Sequence, residues 1–263
     1  MKEENFVEKT LNFSKNLDVS LIKCFIVFDD LSSTNLKAKE LAQDGKIEGT
    51  VVISKTQSNG RGRFNRVWES PEGGLYFSII LRPRCKPDKA TLLPLFAALS
   101  VCKTITSICD LYVKIKWPND VLINGKKVCG ILLESESSKD RLNYVVLGFG
   151  INLNVEVDAL PNEFNATSIS REIGIKLDCH AFLKKLLLNL SETYTFFVEK
   201  KYGLLLKEWK VNSDTIGKQV CIDTPSGKIN GKAVDIDQSG FLMVTTGSGE
   251  HKKITSGDCF YIK

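Results

Sequence analysis

Between residues 55 and 66 the chain carries four positive charges, Lys55, Arg61, Arg63 and Arg66, and no negative one. Three of them sit in Gln57-Ser58-Asn59-Gly60-Arg61-Gly62-Arg63-Phe64-Asn65-Arg66-Val67-Trp68, which runs on to Ser70-Pro71 and Gly73-Gly74-Leu75. Glycine lets backbone amides approach a ligand where a Cβ would intrude. Arginine offers a planar fork of donors that fits phosphate or carboxylate, and Trp68 adds a flat face for a base or fused ring. Glycine and arginine alone would suit a solvated linker or an RNA-binding segment equally well. The segment is not repetitive, however, and hangs between two strand-like runs at 50–55 and 75–81, which favours a specific anion site.

A second segment, Lys114-Ile115-Lys116-Trp117-Pro118-Asn119-Asp120, leads into Val121-Leu122-Ile123-Asn124-Gly125-Lys126-Lys127-Val128-Cys129-Gly130-Ile131-Leu132-Leu133-Glu134. Asn-Gly between apolar runs signals a tight hairpin. Asp120, a carboxylate among cations, suits a Mg²⁺ that accompanies a nucleotide. A lysine near transferring phosphoryl oxygens would stabilise charge that grows in the transition state. Lys126 reads as a solvated turn residue.

Elements that could hold these groups follow along the chain. A strand is expected at 23–29. Ser33-Thr34-Asn35 should open a helix carrying Leu36, Ala38, Leu41 and Ala42 and closing at Gly45. An apolar helix is expected over 90–108, with Pro94 tolerable only near its first turn. Strands are expected at 113–117, 121–124, 128–134 and 144–153, then a helix from about 178 to 200 capped by Asp178, and another over 202–211. The first twenty residues suit one short helix. After Asp214, short strands at 219–223, 229–235, 241–245 and 253–254 alternate with glycine-rich turns, the pattern of a small SH3-like β-barrel. The expected fold is α+β: a mixed sheet packed with helices over 1–213, followed by the barrel over 214–263.

Composition sets further bounds. A formal charge of +5 over 263 residues is too mild to argue for nucleic acid. No apolar run approaches the roughly 20 residues needed to cross a bilayer, and the N-terminus lacks a signal peptide's apolar core, so a cytoplasmic protein is expected. The eight cysteines include no Cys-x-x-Cys pair and read as small buried hydrophobes. His180 and His251 lie far apart, so a structural metal is not expected.

Together the segments resemble the biotin–protein ligases: Gly-Arg-Gly-Arg-x-x-Arg-x-Trp-x-Ser-Pro, then Lys-Trp-Pro-Asn-Asp, then Gly-Lys-Lys-x-x-Gly-Ile-Leu-x-Glu, in that order. The Ser33-Thr34-Asn35 helix start and Gly148-x-Gly150-Ile151-Asn152 also match. The resemblance implies a biotin/lipoate ligase-like catalytic domain and two-step chemistry. Biotin and ATP would give biotinyl-5′-AMP and pyrophosphate, and a lysine of a biotin carboxyl carrier protein would then displace AMP. It implies that Ser33, Thr34, Asn35 and Gln57 bind biotin, and that Gly60, Arg61, Gly62 and Arg63 wrap the adenylate. Arg63 and Arg66 would lie near phosphate, Trp68 would cover biotin or adenine, and Gly130 and Ile131 would line the biotin pocket. Lys127 would contact the biotin carboxyl and the α-phosphate, which makes Lys127 and Arg63 the catalytic pair. Asn119 and Asn152 would serve the nucleotide, and Asp120 its Mg²⁺.

Family members that double as repressors carry an N-terminal winged helix-turn-helix domain, for which this chain shows no room, so DNA binding is not expected. Homodimerisation is open. A lipoate ligase or octanoyltransferase would share the catalytic fold but not Gly-Arg-Gly-Arg-x-x-Arg-x-Trp, and Cys129 beside Lys127 reads as packing rather than as a nucleophile. The glycine–arginine loop is expected to be disordered when empty and to order over the adenylate. The tail from 251 to 258 matches the family only loosely, and from Thr215 onward six lysines face five acids, which offers no strongly basic surface.

Overall fold

A computed structural model describes residues 20–139, 141–159, 161 and 165–262. The short helix expected in the first twenty residues lies almost wholly outside the described residues. The larger sheet contains β1 (Cys24–Leu31), β2 (Thr50–Gln57), β3 (Leu75–Leu81), β4 (Val113–Lys116), β5 (Asp120–Ile123), β6 (Lys126–Ser138) and β7 (Arg141–Ile151), in the order β1-β2-β3-β7-β6-β5-β4. Only β1 and β2 run parallel, because α1 (Thr34–Gln43) makes the crossover between them. The other pairs are antiparallel.

Period-two alternation assigns the two faces of this sheet. Ile26, Phe28, Val52, Ile80, Tyr144 and Val146 pack under Ala38 and Ala42 of α1. Their neighbours Phe25, Val51, Ile79, Leu81, Val145 and Leu147 join the main core. That core is filled by α2 (Leu93–Ile108), α4 (Cys179–Val198) and α5 (Tyr202–Asn212). β3, covered on both sides, is buried along its whole length. A short α3 (Ile169–Ile173), capped by Ser168 and ended by left-handed Gly174, was not foreseen.

Caps account for several boundaries. Ser33 accepts from Leu36 N at the start of α1, and Asp178 accepts from His180 N and Ala181 N at the start of α4. The Asn124-Gly125 turn has φ values of 51° and 77°, the left-handed pair a tight hairpin needs. The helix expected over 90–108 divides into a 3₁₀ stretch, Pro87–Leu92, and α2 with Pro94 in its first turn. Together they span 22 residues, long and apolar enough by length and composition to cross a membrane, contrary to the sequence expectation. Burial explains the composition: 67% of that segment's most apolar window lies inside the protein, where the sheet and α4 surround it.

The expected small β unit is a five-stranded antiparallel sheet of β8 (Gln219–Thr224), β9 (Gly227–Ile236), β10 (Leu242–Thr245), β11 (His251–Ile254) and β12 (Asp258–Tyr261), ordered β11-β10-β9-β8-β12. β12, the four residues that follow Gly257, escaped the sequence reading. This sheet is fastened to the larger one through Trp117, which is 3% exposed. Trp117 N donates to Thr215 Oγ1 at 2.9 Å, and its Nε1 donates to Gly240 O at 3.0 Å. Trp117→Phe keeps the ring's bulk but orphans a buried carbonyl, at a cost of about 1–3 kcal/mol. Its thermal midpoint should fall by several degrees in calorimetry, and an unchanged midpoint would remove this bond from the fastening.

Candidate active site

The face of the sheet that α1 covers runs out of side chains beyond the helix N-terminus. After Tyr144 and Val146 the next positions of β7 on this face are Gly148 and Gly150, and Gly130 of β6 pairs with Gly150. The space left open, with the loop above it, is a cavity of about 690 Å³, within the size range of small-molecule sites. A Cβ on Gly148 would lie 1.7 Å from Asn35 Oδ1, and one on Gly150 would lie 2.4 Å from the Trp68 indole. The glycines are therefore the condition for the hollow.

At one end, the start of α1 presents small polar groups. Gln57 Oε1 accepts from Thr34 N at 2.8 Å and from Thr34 Oγ1 at 3.1 Å. The buried Ser78 hydroxyl lies 2.6 Å from Asn35 Oδ1 and 2.8 Å from Thr34 Oγ1. Gln57 Nε2 donates to Ser70 Oγ, which donates to Trp68 O. Thus the strand end grips the loop directly.

The loop has a definite fold of its own. Trp68 N donates to Gly60 O at 2.9 Å and Gly62 N to Arg66 O at 2.7 Å, with Phe64 and Asn65 at positive φ in the turn. Gly60 is not a cavity-lining residue. Its hypothetical Cβ would meet Trp68 O at 2.2 Å, so its smallness serves the loop's own closure. Gly62 does line the cavity. The Trp68 indole rests on Gly130 and Gly150, and its buried Nε1 has no hydrogen-bond partner among the described residues.

Four cations over the hollow each face a carboxylate. Lys127 Nζ lies 2.7 Å from Asp120 Oδ1, and Arg61 lies 3.1 Å from Glu134 Oε1. Arg63 reaches Asn119 Oδ1 at 3.3 Å, Gly257 O at 3.1 Å and Asp258 at 3.8 Å, while Arg66 pairs with the same Asp258. Burial pulls the Arg63 pKa down, against the opposing pull of Asp258 and Asp120.

Lys127 faces the cavity because of a bulge. Asp120 pairs with Gly130 and Val121 with Cys129, but Leu122 pairs with Lys127, so Val128 is extra. In an uninterrupted strand, residues three apart lie on opposite faces. Here Val128 and Cys129 both enter the core, and the Lys127 Cε comes 3.3 Å from where a Gly130 Cβ would be. Burial drives the Cys129 thiol pKa far above its usual range, and the side chain packs in the core.

The expected residues therefore converge. Ser33, Thr34, Asn35, Gln57, Arg61, Gly62, Arg63, Arg66, Trp68 and Lys127 all line the cavity. So do Asn119, Asp120, Gly130, Ile131 and Asn152. Asn119 and Asn152 are also committed to backbone carbonyls, Ile131 O and Thr167 O. Unforeseen were Asp258 and Phe260 from the small sheet, Lys116, and the roles of Ser78 and Glu134. Among the described residues no group of three or more His, Cys, Asp or Glu is placed to hold a metal.

Residues 27–152 match the biotin/lipoate A/B protein ligase family, and residues 215–261 match the biotin protein ligase C-terminal domain. The bifunctional ligase/repressor BirA of Bacillus spizizenii is 40% identical over 233 residues, covering 88% of this chain and 71% of that protein. This chain belongs to the biotin protein ligase family. The biotin–[acetyl-CoA-carboxylase] ligase of Paracoccus denitrificans is 32% identical over 87% of this chain and 97% of its own length. Among solved structures, the Aquifex aeolicus biotin protein ligase in complex with biotin and ATP superposes with a TM-score of 0.78. It is 32% identical and covers 92% of this chain and 100% of its own.

The glycine floor can be tested on this family member directly. Gly150→Ala should lift Trp68 out of the hollow and red-shift the tryptophan emission, since Trp117 and Trp209 are both buried. Emission identical to that of the parent would show that the indole does not rest there.

Proposed function

We infer that this chain is an ATP-dependent ligase that attaches biotin, through biotinyl-5′-AMP, to a specific lysine of a biotin carboxyl carrier protein. One observation carries the reading: Lys127 and three loop arginines converge over a glycine floor whose far end is a cluster of small hydrogen-bonding groups. A ligand with a polar ring at one end and an anion at the other fits that layout. In the first step a biotin carboxylate oxygen attacks the α-phosphorus of ATP, and pyrophosphate leaves with the broken P–O bond. In the second, a lysine amine attacks the acyl carbon, AMP leaves, and the amine gives up a proton. Carboxylate and phosphate repel each other, so cations must bring them together. The mixed anhydride hydrolyses when wet, so a covering loop keeps water away.

In this reading Ser33, Thr34, Asn35 and Gln57 hold the ureido ring, with Gly130 and Ile131 beside it. Lys127 bridges the carboxyl and α-phosphate. Arg63 and Arg66 exchange Asp258 for phosphate oxygens, Arg61 wraps the adenylate while keeping Glu134, and Trp68 covers the product. Asn119 and Asn152 sit on the nucleotide side. Mg²⁺ arrives with ATP; magnesium is commonly held by one or two carboxylates plus phosphates, and Asp120 is the carboxylate that suits it, once drawn from Lys127. The catalytic unit is placed at 1–213 and the small sheet at 214–263, where it closes the site or docks the carrier. The protein is assigned to the cytoplasm, with no membrane or nucleic-acid partner. Self-association as a homodimer is compatible with the reading.

Purified protein given ATP, Mg²⁺, a carrier domain and labelled biotin or lipoate should transfer biotin; transfer of lipoate alone would sink the reading. Lys127→Ala should slow adenylate formation by about 100- to 1,000-fold, the usual effect of losing one transition-state charge partner. A rate like the parent's would take Lys127 out of the catalytic pair. Arg63→Ala should instead form the adenylate but release it, detected as free biotinyl-AMP in a filtrate. Full retention would refute the clamp.

A further inference from the structure

Glu134 is held between two parts of the site, the glycine–arginine loop and the start of α1. Its Oε1 accepts from Arg61 of the loop at 3.1 Å, and its Oε2 accepts from Asn35 Nδ2 at 3.1 Å. Asn35 in turn is tied to the buried Ser78, which is tied to Thr34 at the polar end of the cavity. Thr34 binds Gln57, which returns to the loop through Ser70 and the carbonyl of Trp68. The circuit is closed: loop, Glu134, Asn35, Ser78, Thr34, Gln57, Ser70, loop. Asn35, Thr34 and Ser78 are each under 5% exposed, so none can drop a partner for bulk water without penalty.

We propose that Glu134 is a positioning residue that makes closure of the glycine–arginine loop depend on occupation of the polar end of the cavity. The proposal rests on the biotin ligase reading above. A ligand that orders Ser33, Thr34 and Gln57 fixes Asn35. Fixed Asn35 holds one carboxylate oxygen of Glu134, and the other is then aimed at Arg61. The coupling is reciprocal: a loop held by Arg61 must tighten the polar end to the same degree. Glutamate is needed because both of its oxygens accept. An amide at this position can still accept from Asn35, but its NH₂ group would face the guanidinium of Arg61.

The test compares the full-length parent with Glu134→Gln, Arg61→Gln, the double variant, and Ser78→Ala alone and combined with Glu134→Gln. Each is assayed for biotin-dependent pyrophosphate release and for escape of biotinyl-AMP. Glu134→Gln should raise the biotin KM and speed escape about fivefold or more, with kcat at saturating biotin within about twofold; Arg61→Gln, which also loses its own contact to the adenylate, should speed escape at least as much. The double variant should be no worse than Arg61→Gln alone, because both cut the same link. Ser78→Ala, which does not touch the loop, should speed escape in the parent but not in the Glu134→Gln background. Additive effects, or an unchanged escape rate, would overturn the coupling while leaving the ligase reading intact. A parent that releases no pyrophosphate with biotin would overturn the ligase reading itself. If Glu134→Gln fails to fold, Arg61→Gln on the surface loop, with and without Ser78→Ala, asks the same question.

Discussion

The site depends on a place where the sheet has no side chains. α1 covers the apolar end of one face and stops at Ser33, and beyond it Gly148, Gly150 and Gly130 leave a floor of bare backbone. Protein interiors are packed at crystal-like density, so a hollow of this size persists only where side chains are missing by design of the sequence and something else forms the roof. The loop from Gly60 to Ser70 is that roof. Its closest contact with the floor, the Trp68 indole on two glycines, is possible only because neither has a Cβ.

Once the hollow exists, electrostatics decides what it can hold. Lys127, Arg61, Arg63 and Arg66 crowd one cleft, and like charges a few ångströms apart in a partly dehydrated site would cost several kcal/mol if unanswered. Asp120, Glu134 and Asp258 answer them, three carboxylates for four cations. These pairs set the terms on which an anionic ligand enters: it must offer more to the cations than a carboxylate does. A polyphosphate with several oxygens in reach of forked donors can do so, whereas a lone carboxylate merely matches what is already there.

Much of this was legible in the sequence, for physical reasons that can be named. β3 was bounded to the residue by its run of apolar and aromatic side chains, and α4 by the Asp178 cap. The cavity lining was visible as residue types because glycine, arginine and tryptophan in the loop each have a narrow range of uses. Partners distant in the chain were not visible. Glu134 meets Arg61 across 73 residues and Asp258 meets Arg66 across 192, and nothing local to either carboxylate marks it as a partner. Gly60 shows the ambiguity of residue types, because a glycine needed for loop closure looks in sequence like one needed by a ligand. The apolar length of 87–108 was underrated because the helix was expected only from 90, whereas Pro87, Asp88 and Lys89 wind into its 3₁₀ entrance.

The placement of Lys127 shows where periodicity stops being a guide. Read as a regular strand from Lys126 to Glu134, the even positions would share one face, which puts Lys127 on the core side with Cys129. A buried unpaired ammonium there would be costly, and the chain avoids it with one extra residue. The bulge at Val128 sends Val128 and Cys129 inward together and turns Lys127 to the side of Gly130. Bulges gather next to active sites because they re-aim a side chain without altering the rest of the ladder. Here the ladder resumes at Gly130 in register with Gly150, so the glycine floor and the lysine that reaches over it are set by a single local irregularity. Were the ladder regular with Val128 still in it, Lys127 would lie three residues from Gly130 and therefore on the opposite face, away from the hollow.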